Sequence, residues 1–422
     1  MKKLLIKENE RIIIKNDKLN ADNYRMLEEN DFRSLKAFVL NGSCNNCGGK
    51  PIFTISISPK YKEIIYAQNF IGTIILRNGT IVEIMPKIDL CDTMEKSYNL
   101  LIQMIMVYIS SDFKQLDNMP LGAIDDCLLD KFIGVFIKLV QKLLKIGLKH
   151  AYAKDVDNST MVTGKILFTD NIKYNYAHLE RNYIEYEKFS PNIPENRLIK
   201  TALIHLLRTT NSEWYKILIN KLLLSFLDVE ISKNYKEDLA KCRMERLGKA
   251  YSTILKICEV ILSNDGLNIY ANNTTRKITS FLFPMEKLFE KYISLKVHQI
   301  YTKKGYNVVL QSNKIYLFEN EQKYKIKPDI IIYSKERNDK VILDTKWKTL
   351  LDDSGKPDVS NSDIYQMYVY QKKTSARKVV LLFPMVEKLK EIHYTNADGI
   401  DISPYQIDMN DVENSVKNMD LF

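Results

Sequence analysis

The spacing of apolar positions changes period along this chain, and each change predicts a different kind of element. Up to about residue 95 the apolar residues come in short runs rich in β-branched and aromatic side chains, as in Ile52 to Ile57, which predicts strands. Phe70 to Ile88 is two such runs joined by Arg77-Asn78-Gly79. Asn-Gly between apolar runs predicts a hairpin whose two central residues take positive φ. From about residue 96 the period moves toward 3.6. Met94 to Ile109 and Leu128 to Lys149 set Leu, Ile, Val and Phe at helical intervals, while Lys138, Lys142, Lys145 and Lys149 recur as on a solvated helix face. A shorter segment starts at Gly164-Lys165-Ile166-Leu167. The turn-rich Ser190-Pro191-Asn192-Ile193-Pro194-Glu195-Asn196 leads into a helix over Arg197 to Thr209, and a further helical block runs from Glu237 to Ser263, ending at Asn264-Asp265-Gly266.

From about residue 275 the pattern is mixed. Pro284 to Tyr301 reads as an amphipathic helix, followed by strands at Asn307 to Leu310, Lys314 to Leu317, Lys327 to Tyr333 and Lys340 to Asp344. A polar loop (Asp352 to Asp358), a helix through Ile364 to Gln371 and a strand at Lys378 to Phe383 complete a central sheet with flanking helices. At 422 residues more than one core is expected. The pattern therefore predicts an α+β multidomain protein: an N-terminal β-rich module, a helical middle, and a C-terminal α/β domain with a central mixed sheet. The main boundary is placed ahead of the turn-rich stretch, giving 1–185 as a β-rich and helical region and 186–422 as a helical segment plus the α/β domain, core 275–390.

Charge changes the picture. Lys and Arg number 62 against 52 Asp and Glu, a net charge of +10, and such an excess favours a polyanionic partner. The 25 tyrosines add rings able to stack on bases, although most are expected to pack. The N-terminal MKKLLIKENERIII is broken by charges and lacks a small-residue cleavage site, so no secretory signal is read there. Neither of the two most apolar stretches reaches the roughly 20 apolar residues of a membrane span, and a soluble, cytoplasmic protein with no membrane partner is expected. Six cysteines in so long a chain do not make a disulfide framework. Cys44-Asn-Asn-Cys47 is half of a zinc knuckle whose other half is missing, so it reads as a turn with two thiols rather than a zinc site.

The chemistry gathers on two consecutive predicted strands. Lys327-Pro-Asp-Ile-Ile-Ile-Tyr333 and Val341-Ile-Leu-Asp-Thr-Lys-Trp347 form a hairpin-like pair on which Asp329 and Asp344 lie side by side. Asp344 and Lys346, two residues apart, point the same way. Two carboxylates and an ammonium at a strand end are what phosphodiester hydrolysis needs: oxygen ligands for a hard divalent cation and a positive group beside the attacking water. The main-chain carbonyl of Thr345 is a further possible ligand. Either half of this set alone would be an ordinary strand start or a surface ion pair; both in order on consecutive strands favour a site.

Pro328-Asp329 followed by Asp344-Thr345-Lys346 resembles the PD-(D/E)xK nuclease superfamily. Gln366-Met-Tyr-Val-Tyr370 resembles the QxxxY helix of its RecB-like branch, with Gln366 and Tyr370 on one helix face. Packing of Tyr370 into the core is the alternative for that residue. Glu290, on the preceding helix, stands where the superfamily often has an accessory acidic metal ligand, although beside Lys291 it also fits an exposed helix face. The absence of cysteines after Cys258 excludes the iron–sulfur subgroup. Over a longer span, FIGTIILRNGTIVEIMPKI, SPNIPENRLIKTAL, KPDIII, LDTKWK and DIYQMYVYQ follow the order found in the McrC family, nuclease subunits of McrBC-type modification-dependent restriction systems. That resemblance implies a Mg²⁺- or Mn²⁺-dependent DNA endonuclease that works with, and stimulates, an McrB-like GTP-hydrolysing AAA+ ring, docking through its N-terminal part. No Gly-Lys dipeptide is followed by Ser or Thr, so no Walker loop is present and no bound nucleotide is expected. The hairpin at Arg77, Asn78 and Gly79, with Lys87, is the expected partner contact, because its strands are unusually apolar. A non-catalytic DNA-binding adaptor and a free-standing RecB-like exonuclease are the alternative readings.

Overall fold

In the computed structural model, which describes residues 2–15, 24–41, 51–111, 126–242, 248–263, 278–311, 315–318, 320–334, 339–351, 358–389, 392–395 and 401–422, the chain is a mixed α+β protein with several sheets. It begins with β1 (Lys3–Lys7), β2 (Arg11–Ile14), β3 (Tyr24–Leu27), α1 (Glu29–Asn41), β4 (Phe53–Ser58), β5 (Lys62–Ala67), β6 (Phe70–Ile75) and β7 (Ile81–Met85). One four-stranded sheet has the order β3-β2-β5-β4. It shares a core with the sheet containing β1, β6 and β7 through Ile12, Ile65, Phe70, Ile74, Val82 and Ile84, closed by Phe32, Leu35 and Phe38 of α1. The expected Cys44-Cys47 turn lies outside the described residues. α2 (Met94–Ile109) follows, matching the predicted bounds, with Thr93 as its N-cap.

The predicted hairpin is β6–β7, but its turn differs from expectation. Gly79 donates to the Leu76 carbonyl and Leu76 donates to Thr80, so three residues form the loop, and of Asn78 and Gly79 only Gly79 has positive φ, at 89°. This is the type I turn plus left-handed glycine that also suits hairpins. The Asn78 side chain instead accepts from Thr80 N at 3.0 Å and donates to Asp31. Both strands are almost wholly buried by the chain itself, which removes the leftover apolar face that argued for a partner contact at this hairpin.

The middle of the chain contains α3 (Leu128–Ile146), β8 (Ala151–Ser159), β9 (Lys165–Ile166), α4 (Phe168–Asn175), β10 (Asn182–Ser190), α5 (Pro194–Thr209), α6 (Glu213–Leu223), α7 (Tyr235–Lys241) and α8 (Lys249–Ser263). It is not purely helical: β8 and β10 pair antiparallel over nine residues each, with β9 beyond. The predicted block from Glu237 to Ser263 is two helices. In the turn-rich stretch, fully buried Asn196 donates to the Lys149 and Pro191 carbonyls at 2.9 and 2.8 Å and accepts from Tyr251 Oη at 2.9 Å. The motif is thus a knot tying α5 to the chain before β8.

The C-terminal part runs β11 (Thr279–Pro284), α9 (Met285–Lys303), β12 (Asn307–Leu310), β13 (Ile315–Phe318), β14 (Lys323–Ile326), β15 (Ile330–Ser334), β16 (Asp339–Thr345), α10 (Asn361–Thr374), β17 (Lys378–Pro384), β18 (Tyr394–Thr395), β19 (Asp401–Ile407) and α11 (Val412–Lys417). The central mixed sheet has the order β12-β15-β16-β17-β19-β18. β16 is antiparallel to β15 and parallel to β17. Its inner strands read as unbroken apolar runs because helices cover them; Ile331 and Ile342 pack with Met367 and Tyr370 of α10. β15 starts at Ile330 rather than Lys327, since Pro328 has no N–H to give a ladder.

The chain divides into two units, one of residues 1–119, 123–128 and 267–422, the other of 120–122 and 129–266. This corrects the expected boundary at 185/186, which falls inside β10. The physical reason is β11: it leaves the middle unit and returns to pair antiparallel with β6, completing the sheet β1-β7-β6-β11, before running directly into α9. The N-terminal sheets and the C-terminal domain are therefore one body. Among the described residues no helix is long and apolar enough to cross a membrane.

The β6–β11 pairing depends on Gly72, whose φ is +139° and where a Cβ would stand 1.9 Å from the Phe281 carbonyl oxygen. Gly72→Ala is expected to destabilise the protein by roughly 2–4 kcal/mol, from backbone strain plus overpacking, read as a lower urea midpoint. An unchanged midpoint would contradict this account of the pairing.

Candidate active site

The register of β15 on β16 builds the site. Ile330 stands opposite Leu343, so one residue beyond, Asp329 is opposite Asp344. The end is pinned by Asp329 Oδ2, which accepts from the Thr345 amide at 2.8 Å and from Thr345 Oγ1 at 2.6 Å. Lys346 follows the strand period of two and brings its Nζ to 2.6 Å from Asp344 Oδ2. Asp344 is only 3% exposed, so this ion pair is the close partner of a buried carboxylate oxygen. A cleft of about 370 Å³ opens here, lined by Asp329, Asp344, Thr345 and Lys346 together with Glu286, Glu290 and Gln366.

The remaining predicted residues are sorted by the geometry. Glu290 of α9 faces the cleft rather than solvent, accepting from Gln311 Nε2 at 2.8 Å. Gln366 of α10 accepts from Lys346 Nζ at 2.9 Å and donates to Tyr370 Oη at 2.7 Å. Tyr370 donates onward to the Lys327 carbonyl at 3.2 Å. It is 6% exposed and belongs to the core cluster, so the core-packing alternative holds for its ring. Its hydroxyl meets the Gln366 amide, while Gln366 itself lines the cleft. Arg77, Asn78, Gly79 and Lys87 lie elsewhere, and the Lys87 amide donates to Glu8 Oε2 at 3.0 Å.

Four lining residues escaped the sequence reading. Glu286 lies one helical turn before Glu290, and Lys348 continues the alternation from Asp344 and Lys346, so spacing alone pointed to both. Lys327 and Trp347 carried no such signal. Asp363 was also missed. Near the start of α10, it is held by the Ser360 N-cap hydroxyl at 2.7 Å, ion-pairs with Lys348 and stands 3.6 Å from Lys346 Nζ. Its place three residues after Ser360 is a helix-start signal.

Burial dominates the electrostatics. It raises the Asp344 carboxyl to about 7, with the Asp329 charge adding to the rise and Lys346 opposing it. Burial also raises Asp329, against the Thr345 hydrogen bonds, and raises Glu290, helped by the Asp329 charge. For Lys346 burial acts downward, but Asp344 and then Asp363 outweigh it and keep the ammonium above its ordinary range. Three crowded carboxyls that resist ionisation suit a cation that would neutralise them. Among the described residues no three His, Cys, Asp or Glu side chains make a set that would enclose an ion unaided.

A family model described as "McrBC 5-methylcytosine restriction system component" matches residues 65–384. Among solved structures, the chain is similar to one from the assembly of Thermococcus gammatolerans McrB AAA+ hexamers with bound McrC, at 16% identity and a TM-score of 0.69, covering 98% of each chain. A second, from the Thermococcus gammatolerans McrBC complex, aligns at 15% identity and a TM-score of 0.47 over 69% of this chain and 86% of that one. At such identity the first likeness concerns fold alone. No curated protein matches significantly.

The raised carboxyls fix a pH dependence. An acid whose folded pKa exceeds its unfolded value binds more protons when folded, so stability is greatest below the unfolded pKa and falls as pH rises toward the folded one. With Asp344 at about 7, the thermal midpoint of metal-free protein is expected to fall between pH 5 and 8, and Asp344→Asn should flatten that fall. The same slope in wild type and variant would refute this assignment.

Proposed function

The chain belongs to the McrBC 5-methylcytosine restriction system component family, and from that premise we propose that it is the McrC-type subunit that cuts DNA, with the cleft as its divalent-cation-dependent phosphodiester hydrolase. The observation that carries the reading is the convergence of Asp329, Asp344 and the Lys346 ammonium at one strand end, in a cleft that Glu290 also lines. Asp329, Asp344 and the Thr345 carbonyl would hold Mg²⁺ or Mn²⁺, with Glu290 as a further acidic group, and the bound cation would supply charge neutralisation at the phosphate and a more acidic water. Lys346 stays protonated beside Asp344, so it acts as a positive charge that orients the attacking water and offsets charge building on the phosphoryl oxygens. Gln366 restrains its Nζ. Water then adds to phosphorus as the bridging P–O bond breaks, leaving one phosphate terminus and one hydroxyl. The net charge of +10 suits a polyanionic substrate.

We further infer that this chain works with an McrB-like AAA+ ring. Such a partner needs a docking surface, and exposed apolar side chains crowd residues 151–190 of the middle unit, including Tyr152, Phe168, Ile172, Tyr176, Leu179 and Phe189. That segment, rather than the buried hairpin at Arg77-Asn78-Gly79, has the character of a protein contact.

The experiment mixes purified protein, the partner ring, nucleotide, Mg²⁺ and methylated circular DNA, and reads cutting and nucleotide turnover. Asp344→Ala should lose cutting but keep stimulation of turnover. Lys346→Arg should cut at least ~100-fold more slowly, since a planar fork replaces a point charge in a fixed pocket. Tyr176→Glu with Leu179→Glu should lose stimulation. Full cutting by Asp344→Ala would overturn the catalytic reading; full stimulation by the double variant would overturn the docking reading.

A further inference from the structure

Glu8 is an acid with no evident reason to be buried. It sits at the turn between β1 and β2, the corner where one N-terminal sheet passes into the other, and is 2% exposed. The turn is tied on both sides: the Glu8 amide donates to the Met85 carbonyl at 2.9 Å and the Asn9 amide to the Ala67 carbonyl at 3.0 Å. Its side chain leaves this frame. Glu8 Oε2 accepts from the Lys87 amide at 3.0 Å and from the indole Nε1 of Trp347 at 2.9 Å. Glu8 Oε1 is buried with no hydrogen-bond partner. Holding a carboxyl in this way is costly for stability alone, because the orphaned oxygen loses its hydration with nothing in return.

The partner in the cleft explains the arrangement. Trp347 is the residue after Lys346, lines the cleft, and lies against Phe289 of α9 with ring centroids 5.4 Å apart. β16 has ended at Thr345, so the ladder no longer holds the backbone along its whole length. The Lys346 amide still donates to the Leu382 carbonyl at 2.9 Å and its carbonyl accepts from the Lys348 amide at 3.0 Å; the side-chain anchor of this segment toward the N-terminal sheets is the Trp347 indole. A second tie runs parallel to the first: Asn69 Nδ2 donates to Glu286 Oε1 at 3.0 Å, and the Met285 amide donates to the Asn69 carbonyl at 3.1 Å. The N-terminal sheets thereby grip both walls of the cleft, α9 through Asn69 and the strand end through Glu8.

We infer that Glu8 is a positioning residue for the cleavage site: by holding the Trp347 indole it fixes the backbone that presents Lys346, and so links the N-terminal sheets to the rate of bond breaking. The inference rests on reading the cleft as a phosphodiester-cleaving site. It asks one oxygen to receive two N–H donors and asks nothing of the other. Glutamine meets that demand, its carbonyl taking the place of Oε2 and its amide the place of the unpartnered oxygen. Burial pushes the Glu8 carboxyl above its usual range, so a neutral group of the same shape suits the site. Aspartate is one methylene too short, and alanine offers no acceptor.

The chain has two tryptophans, and Trp214 is 64% exposed against 6% for Trp347, so Trp214→Phe leaves a single buried reporter at the site. In the full-length protein with its partner ring, Glu8→Ala and Glu8→Asp should lower kcat for DNA cleavage about 10- to 100-fold, the usual effect of loosening a support behind a reacting group. DNA affinity and stimulation of nucleotide turnover should stay within about twofold of wild type. Glu8→Gln should restore cleavage. In the Trp214→Phe background, Glu8→Ala should red-shift the Trp347 emission and raise its quenching by acrylamide, while Glu8→Gln should do neither.

Trp347→Phe, which keeps a ring on Phe289 but has no N–H, should lose as much kcat as Glu8→Ala, and the double variant no more than either. It carries the test alone if Glu8→Ala does not fold. Wild-type cleavage by Trp347→Phe, or equal loss in Glu8→Gln and Glu8→Ala, would overturn the inference, as would kcat and DNA affinity falling together. Absence of cleavage in wild type would instead defeat the functional reading, while the emission shifts would still decide whether Glu8 holds Trp347.

Discussion

Asp329 and Asp344, two carboxyls that repel each other, share one strand end because Ile330 is paired with Leu343, and the whole cleft depends on that register. The apolar runs on both strands set it, since a slip of one residue would turn every side chain to the opposite face. The burial that rewards Ile331 and Ile342 also strips water from the acids next to them. Thr345 returns two hydrogen bonds to Asp329 and Lys346 returns a charge to Asp344. The balance leaves Asp344 reluctant to ionise, a cost characteristic of sites kept for chemistry rather than for stability.

Around this centre the molecule supplies walls from distant parts of the chain. α10 delivers Gln366, backed by Tyr370, and Asp363 bridges Lys346 and Lys348. α9 delivers Glu286 and Glu290, and is positioned because β11, immediately before it, closes an N-terminal sheet. The N-terminal sheets, read as a module separate from the C-terminal domain, belong to one unit with it, and the first strands share hydrogen bonds with the cleft. The middle unit exposes aromatic and aliphatic side chains, among them Tyr176 and Leu179.

Much of the site was legible in the sequence because it obeys local periods. Asp344, Lys346 and Lys348 follow the strand period of two, Glu286 and Glu290 the helical step of four, and Gln366 and Tyr370 likewise. α2 and β12 matched their predicted bounds because their apolar patterns are regular and their ends marked. What stayed hidden was non-local. Glu8 and Trp347 are 339 residues apart, and nothing near Glu8 announces a distant indole. The return of β11 to β6 is equally invisible, since only the backbone approach at Gly72 betrays it. The β8–β10 pair was missed for another reason: its side chains are mostly half-buried or exposed, so no apolar alternation was needed to form it. The hairpin at Asn78-Gly79 was found while its turn was not, because Asn78 is engaged by Thr80 and Asp31 rather than adopting positive φ.

The central claim is that Asp329 and Asp344 are held together to bind a divalent cation. It is tested most directly by growing crystals of the protein in Mn²⁺ and measuring anomalous scattering. The account predicts a peak within ligand distance of carboxylate oxygens of both Asp329 and Asp344, absent in Asp344→Ala. A cleft without a peak at saturating Mn²⁺, or a peak that survives the loss of Asp344, would contradict it.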